Sequence, residues 1–323
     1  MQKEGGNALY LFKEDKTMTN ITQIRNELKQ EVSAMLPSYE MRDAEVVKFN
    51  DRKLLGLTAV KPGENMGPTI WVNDFGDAID AGVSLREIAK YVTEVFRNVP
   101  TSLESLKKAA AENNRIDLPF EKIRDKVFPR IADISRNQAF LANKAYREVG
   151  CGLALMAVID VASGPEGNYA VTVTNELASD QGYDIDLLLD QALENLKPFM
   201  APVEAMIHPF SPVIPNCLDD PQLFAASDRL FSLSNEEAMF GAAALFVPGM
   251  MDRLYKMMGG FYVLPSSVHE MLLLPEACCD DPLSLKEIIR EANANSSVVS
   301  EEDILSDKLM HYDGKELKEV QNV

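Results

Sequence analysis

Apolar positions along this chain follow two rhythms, the helical one of three to four residues and the strand one of two, in successive blocks. Ile21, Ile24, Leu28, Val32 and Met35 line one face of a helix that Pro37 stops. Residues 44–49, 54–60 and 69–72 are short strand-like runs, parted by the turn Asn50-Asp51 and by the Gly- and Pro-bearing stretch 61–68. Links that short predict a meander rather than strands alternating with crossover helices. Ser84 followed by Glu87 has the form of a capping box, and Leu85, Ile88, Ala89, Val92, Val95 and Phe96 give the helix behind it an apolar face.

Farther on, residues 103–114 predict a helix or connector, and Asp117-Leu118-Pro119 opens another helix. Residues 127–134 read as a strand interrupted by Pro129, and 137–144 as a short helix. The stretch 151–161 is apolar on both faces, as a central strand is, and residues 164–168 turn the chain back through 169–173 as its antiparallel partner. Asp184 is placed to cap a helix whose stripe is Ile185, Leu188, Leu189, Ala192, Leu193 and Leu196. Prolines 202, 209, 212, 215 and 221 predict a long irregular loop, with His208 and Cys217 in or beside it. A strand over 229–233 precedes a helix over 238–246 that Ser234 caps, and a second helix runs from Pro248 to Met258, ended by Gly259-Gly260. Met239, Met250, Met251, Met257 and Met258 give this pair an adaptable surface that suits core packing or a partner groove. Asp281 or Ser284 caps a last helix, and residues 304–311 read as extended.

Composition narrows the picture. With 323 residues and 46% apolar content the chain can bury a substantial core, in one large domain or two modest ones. Its net charge of −18 opposes attraction to nucleic-acid phosphates and anionic lipid, so neither a nucleic acid nor a membrane is expected as partner. No apolar run reaches the length of a membrane span, and the first residues lack a secretory h-region, which places the protein in the cytoplasm. Cys151, Cys217, Cys278 and Cys279 have no zinc-site spacing and are expected as reduced thiols. Asp74, Asp77 and Asp80 recur at helical steps, but acids at a helix start suit the macrodipole without any ion, so no metal and no cofactor is expected. P-loop, dinucleotide, α/β-hydrolase and zincin motifs are absent from the sequence.

Candidate chemistry gathers in residues 260–275, where apolar runs 261–264 and 271–274 flank a polar connection containing Ser266, Ser267, His269 and Glu270. Ser267, His269 and Glu270 are the candidate ligand-binding residues, with Asn73 or Asp74 brought near by folding. Against this, adjacent residues point in different directions, and a histidine in a turn also serves by bonding to backbone.

Asn235-Glu236-Glu237-Ala238-Met239-Phe240-Gly241, then Phe261-Tyr262-Val263-Leu264-Pro265-Ser266-Ser267-Val268-His269-Glu270, Asn293, Leu305-Ser306-Asp307 and His311-Tyr312-Asp313 together resemble a family of uncharacterised proteins, a domain of unknown function from clostridial, largely gut, bacteria. Residues 68–74 and Arg136-Asn137 are similar to its earlier signatures, so the likeness covers about residues 21–313. That resemblance implies no established activity and no catalytic residue.

The expected fold is α+β: an antiparallel or mixed sheet covered by helices, either as two sublobes of residues 18–150 and 151–323 with an acidic tail or as one continuous domain, after residues 1–17, which are a poorly held extension or precede an alternative start at Met18. The expected function is that of a cytoplasmic, non-enzymatic interaction or regulatory protein meeting a protein partner. The rival is a small-molecule-binding or hydrolytic site around Ser267, His269 and Glu270.

Overall fold

The computed structural model describes residues 6–64, 67–98, 118–164, 167–207, 214, 216–220, 222, 224 and 230–321. They form an α+β protein with open antiparallel sheets, divided into two compact units: Met1–Lys48 with Arg52–Ile116, and Phe49–Asp51 with Asp117–Val323. The expected helix 103–114, residues 1–5 and His208 lie outside the described residues.

In the first unit the opening helix runs over Gly6–Met35, so residues 6–17 continue it. Strands β1 (Glu40–Val47), β2 (Lys53–Val60) and β3 (Thr69–Trp71) form the expected meander, in register from Glu40 opposite Val60 to Val47 opposite Lys53. Gly56 is required where Trp71 crosses it: a Cβ there would lie 2.5 Å from the Ile70 carbonyl oxygen and 2.8 Å from the indole. The capping box is complete, with Ser84 Oγ accepting from Glu87 N–H and Glu87 returning to Ser84 N–H, ahead of helix Leu85–Arg97. Leu28, Val32, Leu57, Val72, Val92 and Phe96 are all 0% exposed between the two helices and the sheet. Each contributes roughly 1.5–3 kcal/mol of apolar burial.

The second unit holds two sheets. In one, β6 (Leu153–Gly164) is central, paired to β4 (Val127–Asp133) on one side and to β5 (Tyr146–Glu148) and β7 (Gly167–Thr172) on the other. Leu153, Ala154, Leu155, Met156 and Ala157 are buried in succession, as the two-sided apolar pattern requires. Pro129 does not interrupt β4, because β4 is an edge strand where a missing donor is tolerated. The pairing of β4 with β6 joins residues on both sides of Gly150, and the division between units falls at Ile116 and Asp117.

The other sheet has the order β13-β12-β10-β11-β9-β8, with β8 Pro198–Pro202, β9 Phe231–Asn235, β10 Phe261–Ser267, β11 Glu270–Pro275, β12 Met310–Tyr312 and β13 Leu317–Glu319. The first residues of the expected proline loop are therefore Pro202, which ends strand β8, and the short helix Val203–Ile207. One face of β10–β11, through Tyr262, Leu264, Leu272 and Leu274, packs with Ile289 and Leu285 of helix Pro282–Ala294, which Asp281 caps. Ile288 of the same helix is 53% exposed.

A helix over 238–246 does not form. Asn235 ends β9 and clamps Met239, its Oδ1 accepting from Met239 N–H and its Nδ2 donating to Met239 O, while Ala238 and Phe240 take positive φ of 50° and 53°. Only a 3-10 turn, Gly241–Phe246, follows, buried throughout and in contact with β9, β11 and β4.

Candidate functional site

The β10–β11 hairpin is tighter than the sequence reading expected. Ser267 pairs with Glu270, so Val268 and His269 alone make the turn. Its polar groups are all engaged. Val268 N–H donates to Asp303 O at 2.8 Å, and Val268 O accepts from Ala242 N–H at 3.3 Å. His269 N–H donates to Ser267 Oγ at 3.1 Å, and His269 O accepts from Ser234 Oγ at 2.7 Å.

The imidazole is held as firmly. Nδ1 of His269 accepts from Phe240 N–H at 3.1 Å, which leaves the neutral ring its proton on Nε2, 3.2 Å from Asp303 Oδ1. Asp303 Oδ2 accepts from Ser300 Oγ at 2.6 Å. Glu270 is similarly occupied: Oε2 accepts from Ser232 Oγ, and Oε1 from Ser266 Oγ at 3.4 Å. Ser267, His269 and Glu270 thus come together in one turn, each with local partners. Asn73 and Asp74 belong to the first unit, in the 3-10 turn Val72–Phe75, where Asn73 Oδ1 accepts from Leu55 N–H at 2.8 Å and its Nδ2 donates to Lys53 O.

A histidine–carboxylate pair linking segments 34 residues apart is the start of a catalytic constellation, and the sequence did not reveal Asp303 as its partner. A general base, however, needs a free nitrogen lone pair facing a nucleophile or water. Here that lone pair is filled by a backbone amide. The amide belongs to Phe240, whose left-handed backbone is costly for a bulky residue, by about 1–2 kcal/mol. The imidazole pins that conformation and packs its ring against Phe240 at 5.3 Å. Gly241 allows the approach, since a Cβ there would lie 2.3 Å from Ser234 Oγ and 2.8 Å from His269 O.

Phe240 also meets Arg130. Its guanidinium carbon sits 4.6 Å from the Phe240 ring centre and 4.5 Å from that of Phe49. Phe49 is fixed by its neighbours: Asn50, at φ 59°, donates from Nδ2 to Glu301 O and Ile304 O, and Asp51 accepts from Ala139 and Phe140 N–H at the start of helix Gln138–Leu141. Burial lowers the Arg130 pKa to about 10, with the negative charge of Asp303 acting the other way.

A second polar cluster is centred on Asp133, 1% exposed at the end of β4. It accepts from Ser135 Oγ at 2.6 Å, Ser306 Oγ at 2.5 Å and Lys308 Nζ at 3.0 Å. Burial works against its charge, yet the bonds from Ser135, Ser306 and Lys308 hold the carboxyl below its ordinary range. Arg136, Asn137, Asn293 and Asp307, four residues of the sequence signatures, flank it through the Arg136–Asp307 ion pair and the bonds from Asn293 to Asp307 and from Asn137 to Asp133 O.

Elsewhere in the unit, a cleft of ≈ 390 Å³ is lined by Asp125, Phe128, Glu194, Lys197, Glu236 and Glu237 among others, with none of the candidate residues on its wall. Cys217 is 1% exposed and burial raises its thiol pKa, which suits a packing role. All four cysteines are free. Among the described residues no group of three or more His, Cys, Asp or Glu is arranged to hold a metal, and no helix is long and apolar enough to cross a membrane.

A family model described as a family of unknown function (DUF5688) matches residues 19–314, and the chain belongs to that family. No curated protein and no solved structure matches it.

Proposed function

We propose that this member of the DUF5688 family is a non-enzymatic interaction or regulatory protein of the bacterial cytoplasm, acting through a protein partner. One observation carries the reading: at the turn richest in candidate chemistry, both ring nitrogens of His269 are already bonded, one of them to the Phe240 backbone amide. Ser267 Oγ accepts from the His269 amide and Glu270 accepts from Ser232 and Ser266, so at this turn the imidazole is not set as a base against either.

For the partner, the reading draws on methionines around helix Met250–Met258. Met239 is 56% exposed and Met251, Met257 and Met258 are half-buried, whereas Met250 belongs to the core. Flexible thioethers at a surface favour adaptable protein contacts.

Purification of the intact chain from its host, with co-purifying proteins identified for wild type and for Met239→Glu, tests the partner. The expected result is a specific partner lost in the variant; the same set of proteins from both would count against this surface. Screening ester, amide and phosphoester substrates tests the non-enzymatic part. Turnover that disappears in His269→Asn would overturn it.

A further inference from the structure

Arg130 is a half-buried cation with no hydrogen-bonding counterpart among the described residues. Its Nε is buried and has no hydrogen-bond partner among the described residues. Asp303, the carboxylate that influences it, acts on it through space, while its oxygens bond His269 Nε2 and Ser300 Oγ. The Phe49 and Phe240 rings stabilise the charge but accept no in-plane hydrogen bond from its forked N–H groups. A guanidinium whose buried Nε–H has no acceptor among the described residues, and whose terminal N–H groups remain open, can take one.

We propose that Arg130 is an oxyanion-binding residue that takes a single carboxylate group against its forked N–H edge, between the positions fixed by Phe49 and Phe240. A carboxylate is favoured over a phosphate on two grounds. Its planar pair of oxygens matches the guanidinium fork. Its single charge also meets less opposition from nearby Asp303 and from the net charge of −18 than a dianion would. The partly exposed Phe240 ring beside the guanidinium selects further, favouring an acid with an apolar or aromatic body over a small hydrophilic one.

The walls of the site are prearranged. Phe240 is held in its left-handed backbone by His269, and Phe49 precedes a turn locked by Asn50 and Asp51. Strained positions that are over-determined by their neighbours tend to gather where a ligand is clamped. This inference does not depend on the protein-partner reading: the carboxylate can come from a free organic acid or from the side chain or C-terminus of a bound protein.

The test is a titration of the full chain, labelled with ¹⁵N at arginine, with benzoate, acetate, a short peptide with a free C-terminal Phe, and inorganic phosphate, following the Nε–H resonance of Arg130. A saturable shift with benzoate at millimolar concentration or below is expected, weaker with acetate and weakest with phosphate. Tighter binding of the peptide than of benzoate would assign the site to a protein terminus; tighter binding of benzoate, to a small acid. Arg130→Lys should weaken benzoate about tenfold by losing the fork, and Asp303→Asn should tighten it. No saturable shift in the wild type, or phosphate binding more tightly than any carboxylate, would overturn the proposal whatever the variants do.

Discussion

Replacing His269 by its two amide mimics separates the roles of its nitrogens. Asparagine places a carbonyl oxygen near the position of Nδ1 and can still accept from Phe240 N–H, while losing Asp303. Glutamine reaches toward Asp303 but withdraws the acceptor from the amide. An unsatisfied, largely desolvated N–H costs about 1–3 kcal/mol. The left-handed backbone of Phe240, at φ 53°, holds a further 1–2 kcal/mol or so of strain, and relaxing it caps the loss. His269→Gln should therefore make local opening about 2 kcal/mol easier, and His269→Asn less than about 1 kcal/mol easier. Native-state hydrogen exchange of the Phe240 amide reads this directly, with ~30-fold faster exchange expected in the glutamine variant and only a few-fold change in the asparagine variant. Equal exchange in both variants, or faster exchange in the asparagine one, would refute the assignment of Nδ1 as the structural acceptor.

Three further outcomes follow from the same geometry. Asp133→Asn leaves Lys308 without its buried partner and should cost about 3 kcal/mol in a denaturant melt of the second unit. Because the folded pKa of Asp133 is depressed, its contribution is present above the ordinary carboxylate value of about 4 and is lost as pH falls through the lower folded value; the acid limb of wild-type stability should therefore be shallower in the variant. Gly241→Ala would put a Cβ 2.5 Å from Asn235 N and is expected to cost about 3 kcal/mol by forcing the backbone apart, measured by thermal melting. Ser84→Ala removes the cap of helix Leu85–Arg97 and should cost about 1 kcal/mol, followed by the fluorescence of Trp71 in the first unit.

Much of the fold was legible because local rules decided it. The meander β1-β2-β3, the capping box at Ser84, the two-sided burial of β6 and the Asp184 cap each rest on periodicity or on side-chain-to-backbone bonds within a few residues. Misreadings arose where distant contacts outweighed local preference. Residues 238–240 read as the start of a helix, but the Asn235 clamp on Met239 and the His269 acceptor go with left-handed backbone at Ala238 and Phe240. Pro129 looked like an interruption because whether a strand lies at an edge is a property of the sheet.

The candidate turn was found from sequence, but its meaning was not. Asp303 lies 34 residues from His269, and Phe49 is far from Arg130 along the chain, so neither pairing had a spacing to betray it. Arg130 left one faint trace, a charge between the apolar residues 127–129 and 131–132 of β4. Asn73 and Asp74 are polar residues at a strand end, which sequence could not tie to any other segment, and Asn73 is used to fasten β2 to the turn that follows β3.

The central claim is that His269 is a pin with both nitrogens occupied and not a base awaiting a substrate. Long-range ¹H–¹⁵N correlation of the imidazole in the intact chain near neutral pH measures this most directly. The expected spectrum shows a neutral ring protonated at Nε2, with an Nδ1 shift moved by the bond from Phe240 N–H. A ring protonated at Nδ1, or one exchanging freely between the two tautomers, would contradict it.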